Sequence, residues 1–278
     1  MAGILCPSDS VAIIFPGTMH PQLLEYNLHP DVTAFSTMRG GGVGTGTYSS
    51  FNITHYCGDN PENVAANRAL LCERLSIDDS RLILPHQTHG TERLMIDAAF
   101  LALDKETQAE RLKGVDAIYT REAGICIGVS TADCVPILIY DDTTHTAAAI
   151  HAGWRGTLNR IVEKTASEIS PDLTRARAVI GPCISLDAFE VGDEVYEAFS
   201  SADFPMHLIA KRYTEKWHID LWEANRLQLL ACGLRPENIT LSGVCTYTSH
   251  DRFFSARRLG IKSGRIFNGI IIGKLPRR

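Results

Sequence analysis

Short apolar runs alternate along the chain with turn-forming polar clusters, and their spacing predicts most of the elements. Val135–Tyr140 and Thr146–His151 flank the turn-rich Asp141-Asp142-Thr143-Thr144 and read as a β-hairpin. With Asp141–Thr144 as a four-residue loop, Tyr140 faces His145 and Cys134 comes directly across from His151. A slip of one residue would put the two on opposite faces. Further β-runs are read at residues 11–15 (VAIIF), Arg81–Pro85, Asp116–Thr120, Ile125–Val129, Arg175–Ile180, Ile239–Cys245 and Ile266–Ile272. Helical signals are equally local. Asn60 caps a helix that opens on Pro61, shows Val64, Ala65, Leu71 and Leu75 on one face, and stops over Ser76–Ser80. Residues 92–113 read as irregular with a short helix around Lys105–Leu112. A longer helix is expected from Thr157 to Ile169, and a short one from Asp193 to Phe199. Asp220 and Glu223 form a capping box before a helix striped by Leu221, Ala224, Leu227 and Ala231, which Gly233 ends.

Composition narrows the class. A chain of 278 residues with 45% hydrophobic and 21% charged content can bury a large core, as one big domain or two small ones. A net charge of -5 offers no basic face for nucleic acid. No apolar run reaches the ~20 residues of a membrane helix. The N-terminus lacks the basic start of a secretory signal. Eight cysteines are scattered without a CxxC pair, which points to reduced thiols and a cytoplasmic location.

Candidate chemistry gathers around the hairpin. His86 and His89 stand at the end of one predicted strand, Cys134 and His151 on the arms of the hairpin. His89, Cys134 and His151 supply the two nitrogens and one sulfur of a catalytic zinc site, which keeps three protein ligands. The same residues also read as a buried thiol with two hydrogen-bonded histidines, or as a Cys/His nucleophile pair. Arg155 and the amides opening the Thr157 helix would suit a phosphate or carboxylate. The glycine-rich stretch Phe35–Asn52 permits close backbone approach to a ligand, with Arg39 beside it, but lacks the Gly-Lys-Ser/Thr of a P-loop. Cys183, in a sharp Gly-Pro-Cys turn, is read as packing. The paired Arg257-Arg258 reads as a solvated face.

Several motifs occur together and in order. They are Gln87-Thr-His89-Gly90, Thr131-Ala-Asp-Cys134-Val-Pro136, His151-Ala-Gly-Trp-Arg-Gly156 and Gly181-Pro-Cys-Ile184 with Phe189-Glu-Val-Gly192. Asp220-Leu-x-x-Ala-Asn225-Arg226-x-Gln228-Leu229, Cys245-Thr246 and Phe253-Phe-Ser-x-Arg-Arg258 follow. On these the chain resembles the YfiH-like family from Phe35 to Ile272. That family was long described as polyphenol oxidases or laccases and is now understood as purine nucleoside phosphorylases with adenosine deaminase activity.

The resemblance implies an α/β (α+β) fold, a single domain spanning 1–278 with mixed β-sheets packed between α-helices. It implies one zinc on His89, Cys134 and His151, copper being the ion of the older description, and it leaves His86 outside the ligand set. It implies purine nucleosides and phosphate as substrates, with Arg39 and Asn52 lining the site and Arg155, Thr157 and Arg257 binding substrate. Under it, phosphate held by Arg155 attacks the ribose C1′, or activated water attacks the purine C6. Cys134, Asp133 and Arg155 form the catalytic set, Asp133 as a proton carrier or, preferably, as the orienter of a histidine ligand. Met38, Gly44, Ala256 and Leu259 depart from the family's usual Thr, Ser, Tyr and Asp. The rival readings are a copper laccase, for which none of the ten histidines forms a His-x-His pair, a cysteine or metal amidase that edits a peptidoglycan precursor, and a non-catalytic binding protein.

Overall fold

The computed structural model describes residues 20–274, so the segment 11–15 read as a strand lies outside it. Two sheets form the centre. One runs in the order Leu23–Tyr26, Val32–Thr37, Ile266–Ile272, Cys126–Thr131, Leu82–Ile83. The other runs Ile239–Leu241, Arg177–Ile180, Val135–Asp141, Thr146–Ala152, Val115–Thr120, Glu92–Met95. Each contains both parallel and antiparallel pairs. A small antiparallel sheet, Glu190–Val191, Lys216–Ile219 and Ala210–Tyr213, stands apart.

Strand alternation builds four layers from these sequences. Ile127, Val129 and Ile270 of the first sheet pack face to face with Ile118, Leu138, Tyr140 and Ala149 of the second. The opposite face of the second sheet, with Ile137, Ile139, Ala148 and Ile150, is covered by the helices Ile161–Ile169 and Leu221–Ala231. The opposite face of the first, with Phe35, Cys126 and Phe267, lies under the helix Pro61–Leu75. The result is one domain of mixed sheets between helices. Strands such as Val135–Asp141 are buried along their whole length because both of their faces are covered.

Several local expectations are corrected. The hairpin pairs Pro136 with His151 and Asp141 with Thr146, so the loop is 142–145 and the register is offset by two residues. An even offset preserves the face, and Cys134 stays on the same side as His151 but one pair further out. The helix expected over Thr157–Ile169 is two, Trp154–Leu158 and Ile161–Ile169, separated by Arg160 with φ +61°. The buried face of the second contains the anticipated Ile161, Val162, Thr165 and Ile169. On Leu221–Ala231 the buried face is Leu221, Ala224, Asn225, Gln228 and Leu229, rotated from the apolar stripe. Asn225 and the Nε2 of Gln228 bond to Thr157, which is why a hydrophobic pattern does not find them. The run at Arg81–Pro85 pairs only at Leu82–Ile83. The stretch 92–113 holds the strand Glu92–Met95 and the helices Ala98–Leu101 and Lys105–Arg111.

Candidate metal centre

The site lies at one end of the gap between the two central sheets. His151 and Asp116 come from the strands Thr146–Ala152 and Val115–Thr120, whose pairing of Ala117 with Ile150 places Asp116 opposite His151. Asp116 Oδ1 stands 2.7 Å from His151 Nδ1, with both side chains buried. The same carboxylate accepts the backbone N–H groups of Thr88, His89 and Gly90 at 3.2, 3.0 and 2.7 Å. One buried acid therefore orients one histidine directly and holds the loop that presents the other. Gln87 fixes the start of that loop to the first sheet: its Nε2 donates to Ser130 O at 2.8 Å, and its Oε1 accepts from Ser130 N at 2.7 Å. Tyr56 adds a donation to the same Oε1.

Cys134 is presented by a turn. Asp133 has φ +85°, in the left-handed region, and His89 has φ +63°. Non-glycine residues adopt this region rarely and at a cost of roughly 1–2 kcal/mol, so it is held by the surroundings. Asp133 Oδ1 accepts from Thr246 Oγ1 and its Oδ2 from the Arg257 amide, both at 2.6 Å, and its carbonyl accepts from Ile184 N. Cys134 Sγ then lies 3.7 Å from His89 Nε2. The His89 and His151 rings meet edge to face, 4.8 Å between centroids.

Donor atoms of His89, Cys134 and His151 lie within 4.8 Å of one another, the one group of this kind among the described residues. Two ligands about 2.0–2.3 Å from a tetrahedral zinc are separated by about 3.5 Å, close to the observed sulfur–nitrogen distance. Gly153 keeps this space open, since a Cβ there would lie 3.0 Å from both Cys134 Sγ and His89 Cδ2. Electrostatics agrees. Burial pushes the Cys134 thiol up, but the His151 and His89 imidazoles outweigh it and hold the thiol well below its ordinary value. Burial disfavours protonation of His151, while Cys134 and Asp116 together raise it above the usual imidazole range. Burial also opposes the charge on Asp116, and its bond to His151 prevails, keeping it ionised. The thiolate is the form a soft divalent ion needs, and His151 would release its Nε2 proton when one binds.

The donors open into a cavity of about 320 Å³ that Tyr56, Cys57, Thr131, Ala256, Ile261 and Arg265 help to line. The other residues expected at the site are placed elsewhere. Arg155 is exposed, its guanidinium 4.3 Å from the Trp154 ring. Thr157 is fully buried, bonded to Ala152 O and Asn225. Arg39 donates to Ser49 O and His250 O. Asn52 is buried, bonding Asp59, Thr54 and the Arg265 amide. The Arg257 side chain donates to Glu190 O. None of these five lines the cavity. Asp133 braces the turn, and the acid bonded to a candidate histidine donor is Asp116. Its sequence signal was a lone carboxylate inside the apolar run Val115–Thr120, where burial demands a partner. His86 stacks on Tyr56 at 4.3 Å, and Cys183 is buried in the core.

The family model described as "Multi-copper polyphenol oxidoreductase laccase" matches residues 33–273. The chain belongs to this family. It is 50% identical over 252 residues to a purine nucleoside phosphorylase of Bacteroides thetaiotaomicron, covering 88% of this chain and 93% of that protein. It is 47% identical to adenosine deaminase RL5 of an unknown prokaryotic organism, covering 86% and 93%. The fold is similar to the crystal structure of YlmD from Geobacillus stearothermophilus, with a TM-score of 0.80, 30% identity and coverage of 90% and 94%. It is also similar to that of the hypothetical protein YfiH of Bacillus licheniformis, with a TM-score of 0.83, 27% identity and coverage of 91% and 97%. Membership in a YfiH-like family with nucleoside-processing relatives thus agrees with the resemblance read from the motifs.

Proposed function

We propose that the protein is a zinc-dependent purine nucleoside phosphorylase, acting on adenosine, inosine, guanosine and methylthioadenosine, that also deaminates adenosine. The observation that carries this reading is the His89–Cys134–His151 group, backed by Asp116 and facing a cavity, in a chain half identical to a purine nucleoside phosphorylase. The relative described as an adenosine deaminase supports the second activity.

Zinc is favoured over copper by the donor set. Two histidines and a cysteine would also serve a blue-copper site, but such a site adds a weak axial ligand, most often Met, and no methionine lines this cavity. A multicopper centre needs several donor groups, and the described residues hold one. When bound, zinc would supply Lewis-acid polarisation of an oxygen in the cavity. The chain's own residues do the rest. Asp116 accepts the Nδ1 proton of His151, leaving Nε2 as the lone-pair donor. Cys134 contributes negative charge as a thiolate, and Gly153 leaves the room that the three donors share. Gln87 fixes the wall that carries Ser130, so the donors and the cavity keep one geometry. The free thiols of the seven described cysteines support a cytoplasmic location.

Product analysis tests the proposal. Metal-analysed protein is incubated with adenosine or inosine, with and without phosphate, beside Cys134→Ala. Phosphate-dependent free base and ribose 1-phosphate, lost in the variant together with zinc, are expected, as is inosine from adenosine without phosphate. A zinc-loaded protein that turned over neither nucleoside would overturn the assignment and turn attention to amide substrates.

A further inference from the structure

Within the cavity that holds the metal donors, Arg265 alone among the lining side chains carries a permanent charge, and no carboxylate lines the same space. It precedes the strand Ile266–Ile272, where Ile266 pairs with Thr131, so its backbone continues alongside Ala132, two residues before Cys134. Its Nη1 donates to the carbonyls of Ser263 and Gly264 at 2.6 and 3.0 Å, and its Nη2 to that of Ile261 at 2.9 Å. A guanidinium carries five N–H donors, so Nε and one Nη2 proton are left with no partner among the described residues. A half-buried cation with spare donors, facing a site that holds a thiolate but no acid, is built to receive an anion.

The surrounding loops support the same placement. The Arg265 amide is held by Asn52 Oδ1 at 3.1 Å. Thr47 of the glycine-rich loop donates its hydroxyl to Lys262 O at 2.6 Å and accepts from Gly264 N on its carbonyl. Asn52 and the glycine-rich stretch thus serve the site at one remove, by fixing the segment that carries Arg265. Arg155, the anion-binding residue expected from the sequence, is exposed against Trp154 instead.

We infer that Arg265 is the phosphate-binding residue of this enzyme, holding inorganic phosphate in the cavity beside the metal donors. The inference deepens the phosphorylase reading and rests on it for the identity of the anion. Phosphate held there supplies the oxygen that bonds to the ribose C1′. The C1′–N9 bond breaks with its electron pair going to the purine, which takes up a proton.

Two measurements on the zinc-loaded protein test this. In steady-state phosphorolysis, Arg265→Gln is expected to raise KM for phosphate at least tenfold more than it changes KM for inosine, and Arg265→Lys to give an intermediate rise. Isothermal titration with inorganic phosphate, without nucleoside, reads the subsite independently of turnover and should show binding lost in Arg265→Gln. A fall in kcat with KM for phosphate unchanged would make Arg265 only a brace for residues 261–264 and overturn the inference. A KM effect confined to Arg155→Gln would overturn it too. Equal phosphate binding by wild type and Arg265→Gln would do the same, whatever the products. If wild type binds phosphate through Arg265 but forms no ribose 1-phosphate, the phosphorylase reading fails and the anion subsite stands.

Discussion

Asp116 Oδ1 and His151 Nδ1 are 2.7 Å apart in a buried pair, and the same carboxylate takes three backbone N–H groups from the loop that bears His89. Two of the three candidate metal donors are thus positioned by one buried side chain. Asp116→Asn keeps the shape but removes the charge. Outer partners of this kind typically contribute 10–100-fold to metal affinity. A loss of that size in zinc affinity is expected, read by competition with a chelator. An unchanged affinity would show that the loop and strand hold the histidines unaided.

A side chain at Gly153 should crowd the metal donors. A Cβ there would meet Cys134 Sγ and His89 Cδ2 at 3.0 Å. Gly153→Ala is expected to fold, because its φ of -63° suits any residue, yet to bind less than stoichiometric zinc. Metal analysis beside the melting temperature of the chelated protein separates the two effects.

Thr157 is expected to matter for stability and not for substrate. Its hydroxyl pairs with the buried Asn225, whose Nδ2 also donates to Leu221 O. Thr157→Val leaves Asn225 short of a partner, a loss of about 1–3 kcal/mol. Urea denaturation should show that loss while KM for inosine stays within about twofold of wild type, a shift of about 0.4 kcal/mol. A large rise in KM would return Thr157 to the substrate site.

Gln87 offers a fourth test. Its amide exchanges two hydrogen bonds with the Ser130 backbone and accepts another from Tyr56. Gln87→Leu removes these from a buried position at a cost of a few kcal/mol. Because the lost bonds tie the His89 loop to the first sheet, zinc affinity should fall along with stability. A stability loss with zinc affinity unchanged would confine Gln87 to the core.

The sequence by itself determined the elements that local chemistry controls. The Asn60 cap, the Asp220 cap and the last strand all form where short-range signals place them. His89, Cys134 and His151 were legible as a possible ligand set because their types are rare and chemically matched, and the family motifs singled them out. What decides contact across the fold is not local. Whether Cys134 faces His151 depends on hairpin register, where the outcome differed by two residues yet kept the face. The break at Arg160 arises because Trp154–Leu158 and Ile161–Ile169 pack as separate pieces, a choice that periodicity does not record. Arg155 and Thr157 looked apt for an anion because they follow His151 in sequence, but the turn of the chain buries one hydroxyl and sends the guanidinium to the surface. Asp116 and Arg265 come from opposite sheets and meet the site only when the two sheets stack. Partners that distant in sequence are set by tertiary packing, since a buried charge is stabilised by whatever the fold brings beside it and not by its neighbours along the chain.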